Sequence, residues 1–318
     1  MGLIPLAIIT AALALVWLAV VRLRHTEAFR RVTVPAHLAP SLHAARHAFR
    51  RRGALVAAAA VAVAGLAVGL DQAMPDPYGL LLILTPALMN LAGLIVIAAL
   101  PRVPVAESGS QRSADLAPRR PWTFAPTWAR LLPTTAGLLL LAVIVGFGLT
   151  ASGSEDGLSR AIRIDSGAYS STATPYPGWF YGLPVLLLAV ALAVTAATAL
   201  ARVAASARPT DATLREADQV MRMLITRVIV KLTTGTFVVY LGGLMFMGGI
   251  ALSAASGQWF DGSYAQIEPW AAVAITLFCV GLIAVGIGVA LVLLAVLDAL
   301  TPPFTMLPAP VAAERNRA

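Results

Sequence analysis

The sequence predicts an all-α polytopic membrane helix bundle with seven transmembrane helices, the N-terminus outside and the C-terminus inside. Three observations carry that prediction. Of the 318 residues, 59% are hydrophobic and only 12% charged, a balance that ordinary soluble domains do not show. Seven segments match the about 20 apolar residues needed to cross a hydrocarbon core of roughly 30 Å. They are about 3–21, 53–70, 79–100, 132–150, 180–201, 232–255 and 270–297. Finally, the basic residues fall on alternate sides of these segments.

Lys and Arg are retained on the cytoplasmic side during insertion, so their positions orient the helices. Segment 22–52 carries Arg22, Arg24, Arg30, Arg31, Arg46, Arg50, Arg51 and Arg52 against one acid, Glu27. Segment 101–130 carries five arginines, and 202–231 carries five more plus Lys231, the only lysine. Arg315 and Arg317 lie in the tail. On the opposite side, 71–78 and 256–268 have no basic residue, and 151–179 has only Arg160 and Arg163. Segment 3–21 is expected to be an uncleaved, N-out span. A signal peptide would carry its charges before the apolar run, whereas Arg22 and Arg24 follow it.

The remaining elements follow in order. Ser41 after Pro40 is placed to cap a short helix that runs into the second span. Loop 101–130 is rich in Pro, Ser and Arg and is expected to be irregular, with Trp122, Phe124 and Trp128 in the inner headgroup layer. Leu214, Ala217, Met221, Leu224 and Val228 recur at helical spacing, so 211–228 is expected to be an amphipathic helix continuous with the sixth span. Its stripe is expected to lie on the bilayer, with a protein partner as the alternative. Asp218 and Arg222 are spaced for an i,i+4 pair. The outer loop 151–179 is polar, and Tyr78, Trp259, Phe260, Tyr264, Trp270 and the aromatics of Tyr176–Pro184 are expected to form an interfacial belt. Residues 1–300 are read as one transmembrane domain, and the tail 301–318, after Thr301, Pro302 and Pro303, as disordered.

Small residues carry the clearest packing signal. Gly235, Gly242 and Gly249 are seven apart, as are Ala274, Gly281, Gly288 and Ala295. That period keeps them on one seam of a left-handed helix pair, and in lipid such seams let backbones approach closely. Spans six and seven are therefore expected to form a tight antiparallel hairpin. Gly65 and Gly69 suggest a weaker contact of the same kind. Lys231 and Asp298 lie at similar depth and are expected to pair. Pro86 removes a backbone donor and Asn90 can bond to a neighbouring helix, so the third span is expected to be kinked. A solute path would use Pro86 and Asn90 with Thr233, Thr234 and Thr236. Spans 2–4 and 5–7 run in opposite senses, as inverted transporter repeats would.

Several functions are disfavoured. The net charge of +8 is juxtamembrane, matching anionic lipid at the cytoplasmic face rather than nucleic acid. His25, His37, His43 and His47 lie among arginines that would repel a cation, and Cys279 is the only cysteine, so no metal site is expected. No cofactor motif, Walker-type phosphate loop or HExxH zinc signature is present. Seven N-out spans resemble rhodopsins, but the seventh span lacks the lysine a retinal protein would carry. With its Ala-, Val-, Leu- and Arg-rich spans and the outer segment Tyr176–Pro184, the chain resembles multi-pass membrane proteins of actinobacteria. That resemblance implies no activity, cofactor or functional residue.

The expected function is accordingly a non-enzymatic scaffold or accessory subunit of a transport or envelope complex in the plasma membrane. Helix 211–228 and the outer loops are the surfaces for a membrane-protein partner. The alternative is a small-solute permease. A third, weaker alternative is an enzyme using Glu155, Asp156 or Asp261.

Overall fold

The computed structural model describes residues 30–34, 39–75, 78–100, 127–165, 170–206, 212–260, 263–300 and 304–308. The expected first span, His25, His37, Trp122, Phe124 and Asp261 lie outside these residues. Among the described residues the bundle has six helices: α1 (Ala39–Ala73), α2 (Leu80–Ala99), α3 (Thr127–Thr150), α4 (Trp179–Ala205), α5 (Ala212–Ser256) and α6 (Trp270–Leu300). All six are long and apolar enough to cross a membrane. Val61, Leu66, Met74, Leu149, Leu187 and Ile283 point outward. In water such surface would drive association, and in hydrocarbon it is solvated.

Helix α5 is the centre of the bundle. α6 packs along it, α3 and α4 flank it, and α2 touches it. The surrounding helices follow in the order α6, α1, α2, α4, α3, each packed on the next. Leu94, Leu140, Ile144, Leu192, Leu200 and Ile229 are buried in one continuous core. α5 and α6 form the most extensive pair. Inverted repeats would require the same of α2 and α3, which do not pack along each other.

Several expectations change. From Met221 on the stripe does not face lipid: Met221, Leu224 and Val228 are buried within the protein, where Val228 joins a core containing Phe49, Val56, Ile97 and Val203. Apolar periodicity marks a buried face but not what buries it. Loop 151–179 is partly ordered as an antiparallel sheet of β2 (Ser152–Gly153), β3 (Ser159–Asp165) and β4 (Ser170–Ala173). β3 alternates in burial, placing Ile162 and Ile164 inward against the bundle. A second hairpin, β5 (Gly257–Phe260) and β6 (Ser263–Gln266), joins α5 to α6. The tail is not wholly irregular either. Its strand β7 (Phe304–Pro308) pairs in parallel with β1 (Arg30–Val34).

Candidate functional site

The α5–α6 seam brings Gly235 to Gly288, Gly242 to Gly281 and Gly249 to Ala274. A methyl group on Gly242 would lie 2.5 Å from the Val285 nitrogen and 2.6 Å from the Gly281 oxygen. One on Gly281 would lie 2.5 Å from the Phe246 nitrogen, and one on Gly288 2.6 Å from that of Val239. The backbones therefore touch where glycines recur every seven residues. Gly65 and Gly69 of α1 differ, since a methyl group there would meet no described atom within 4 Å.

Beyond Gly235 and Gly288 at one end of that seam, Lys231 Nζ donates to Asp298 Oδ2 at 2.8 Å. The carboxylate side chain is 1% exposed and the ammonium side chain 13%. A charge pair so buried persists only with good geometry.

Pro86 lies inside α2, at the turn where that helix meets Tyr240 of α5. Tyr240, buried on α5, accepts from the Ala87 N–H at 3.0 Å and donates to the Ile83 carbonyl at 2.8 Å. An unbroken helix would join those two groups to each other, so one phenol braces the turn that proline weakens. Asn90 does not bond across helices as expected. Its Nδ2 donates to the Pro86 carbonyl at 3.0 Å, within its own helix. Thr85 likewise donates to the Leu81 carbonyl at 2.8 Å.

Tyr240 was not among the candidates read from the sequence. The available signals were complementary: a buried Tyr hydroxyl needs a partner, and proline unsettles backbone groups one turn earlier. What the sequence lacks is the proximity of two residues 153 positions apart. Tyr240→Phe should remove both hydrogen bonds and cost about 1–3 kcal/mol per underbonded group. Thermal unfolding in mild detergent measures it, and an unshifted midpoint would show that the helix closes without the phenol.

The threonines divide. Thr233 donates to the Ile229 carbonyl at 2.9 Å and Thr236 to that of Leu232 at 2.8 Å. Thr234 and Thr226 are buried with no hydrogen-bond partner for their hydroxyls among the described residues. Tyr240 ties the two helices where they run antiparallel, so Thr236 and Asn90, each about a turn further toward the Lys231 end, stand at a similar level. A cavity of about 170 Å³ lies elsewhere, between α3, α4 and α5, with Thr233 but none of Pro86, Asn90, Thr234 and Thr236 in its lining.

At the opposite end, the Tyr176–Pro184 segment acts as a fastener more than a belt. Tyr176 and Tyr181 are buried. The Tyr176 hydroxyl pairs with Thr150 of α3 at 2.6 Å, and Tyr181 donates to the Tyr78 carbonyl at 3.0 Å. Phe180 meets the Tyr78 ring edge-on at 5.4 Å. Trp179 packs where Gly148 leaves room, and Gly178 abuts the Ser159 carbonyl. Arg160 Nη2 bonds Asp156 Oδ2 at 2.6 Å, and its guanidinium carbon sits 4.2 Å from the Tyr78 ring centre. The Arg160 guanidinium and the Ser154 hydroxyl hold the Asp156 carboxyl well below the usual carboxylate range.

A depressed folded-state value stabilises above the unfolded carboxylate value, about 3.9, and that contribution fades as pH falls through the folded value. Amides of β2–β4 should therefore keep constant protection factors from pH 8 to pH 5 and lose them below about pH 4. Asp156→Asn should abolish this acid dependence. Protection that instead titrated near neutrality would refute the assignment.

At the end that carries Lys231 and Asp298, arginines cap helix C-termini, where carbonyls lack intrahelical partners and the dipole favours cations. Arg52 donates to the Leu100 carbonyl at 2.8 Å, and Arg202 to that of Ala98. Arg222, 1% exposed, donates to the carbonyls of Val203 and Ser206 at 2.8 and 3.2 Å and pairs with Asp218.

These features define a multi-pass helical membrane protein whose polar groups serve largely to close the bundle. The chain matches no protein-family model, no curated protein and no solved structure.

Proposed function

We propose that the chain is a non-enzymatic scaffold or accessory subunit of a transport or envelope complex in the plasma membrane. It has seven spans, the N-terminus outside and the C-terminus inside. One observation carries the functional part. Of the polar groups a path or active centre would draw on, Asn90, Thr233, Thr236, Tyr240 and the Lys231–Asp298 pair each bond within the bundle, with Thr234 the exception among the described residues. The orientation is supported by the ends. Arg160 and Arg163, the two basic residues assigned outside, are paired with Asp156 and Asp165, whereas the other end carries the arginine clusters.

Purified alone and reconstituted in liposomes, the protein should pass no solute faster than empty vesicles. From native membranes it should migrate within a larger assembly. Solute flux lost in Asn90→Leu would favour the permease, which the unpartnered Thr234 hydroxyl supports. For topology, with Cys279 replaced, a cysteine at Ser263 or Ser166 should react with impermeant reagents in intact cells. Labelling only after lysis would reverse the orientation.

A further inference from the structure

The cavity between α3, α4 and α5 is a groove open to the bilayer, for Thr134, Ala193 and Ala197 are exposed at its rim. Its volume of about 170 Å³ is below the several hundred Å³ of small-molecule sites, and suits part of one hydrocarbon chain better than a solute. Its lining is apolar apart from two threonines. Thr134 and Thr233 donate to the carbonyls of Arg130 and Ile229 in their own helices, so neither hydroxyl calls for a polar guest. The small side chains of Ala193 and Ala197, one turn apart on α4, create the concavity.

Charge identifies the guest further. Arg130 lies four residues before Thr134 on α3, and Arg227 three before Val230 on α5. Arg130 thus sits one turn toward the basic end of the bundle on the face of α3 that lines the groove, and Arg227 sits one turn below Val230, on the flank of the α5 face that Ile229, Thr233 and Phe237 line. The helices meet there, since Ala129 packs against Val230. A guest with an apolar chain in the groove would carry its polar head to the turn of α3 that holds Arg130, with Arg227 on the adjoining flank of α5.

We propose that this groove binds an acyl chain of an anionic glycerophospholipid, with the phosphate-bearing headgroup beside Arg130 and Arg227. Its placement in the inner leaflet rests on the orientation proposed above, but lipid retention in detergent is independent of orientation, so the two fail separately. Native mass spectrometry tests it on the full chain, purified and incubated in micelles containing equal amounts of dioleoyl phosphatidylglycerol and dioleoyl phosphatidylcholine. Wild type should retain phosphatidylglycerol preferentially. Ala197→Phe or Ala193→Leu, each filling the groove from an exposed position, should lose the retained lipid while keeping the wild-type unfolding midpoint. Arg130→Gln and Arg227→Gln should each lower phosphatidylglycerol retention about five-fold and leave phosphatidylcholine unchanged. Equal retention of both lipids by wild type, or retention indifferent to both groove-filling variants, would overturn the proposal. So would a second copy of the chain taking the place of the lipid in the spectrum.

Discussion

Gly242→Leu should separate α5 from α6 and abolish a monodisperse, detergent-stable protein. At this position an added carbon meets backbone atoms of Val285 and Gly281 at 2.5 and 2.6 Å, and backbone cannot swing aside as a side-chain tip can. Overpacking ordinarily costs about 1–3 kcal/mol, and contact with the main chain of α6 at two points puts this case at the upper end or beyond. Gly243 supplies the control. It is the next residue, yet a methyl group there meets no described atom within 4 Å. Gly243→Leu should be tolerated, with helix propensity slightly improved. Size-exclusion profiles and unfolding midpoints in mild detergent compare the pair. Similar behaviour of the two variants would mean that the seam does not hold the bundle together.

Lys231→Met should be nearly as damaging, and more so than Asp298→Asn. Removing one member of a buried ion pair costs about 3–5 kcal/mol because the other charge is stranded. The stranding is unequal here. Asp298 is 1% exposed, whereas Lys231, at 13%, has a long stem that can carry its ammonium to the interface. The double variant Lys231→Met/Asp298→Leu should recover most of the lost stability, since apolar replacement of such a pair is often neutral. A double-mutant cycle of unfolding midpoints measures the coupling. A double variant as unstable as Lys231→Met would show that the charges do more than neutralise each other.

Some of this arrangement was legible in the sequence because it follows from local periodicity. Stretches such as 79–100 and 270–297 are long apolar runs, and α2 and α6 occupy nearly those bounds. The glycines at 235, 242 and 249 could be matched to 288, 281 and 274 because a short connection forces an antiparallel neighbour, leaving one register to choose. Asn90 was misjudged because an amide in lipid needs a partner, but sequence does not distinguish a neighbouring helix from a carbonyl four residues back. The stripe of Met221, Leu224 and Val228 was assigned to lipid because hydrocarbon and a protein interior select the same residues. Tyr176 and Tyr181 suit an interface belt by type, although their hydroxyls join the segment entering α4 to α3 and α4 to the loop before α2.

The sequence by itself determined that the chain is apolar enough to span a membrane many times. It also determined which connections carry the arginines, because composition and charge act on each segment separately during insertion. Only the tertiary structure decided that α5 is the central helix, that Tyr240 braces the Pro86 turn, and that Arg52, Arg202 and Arg222 close the ends of α2 and α4. Those are meetings between residues far apart in the chain. In hydrocarbon, where every other segment is equally apolar, partners are chosen by close packing and by the need to satisfy each buried polar group, and neither is written within a single helix.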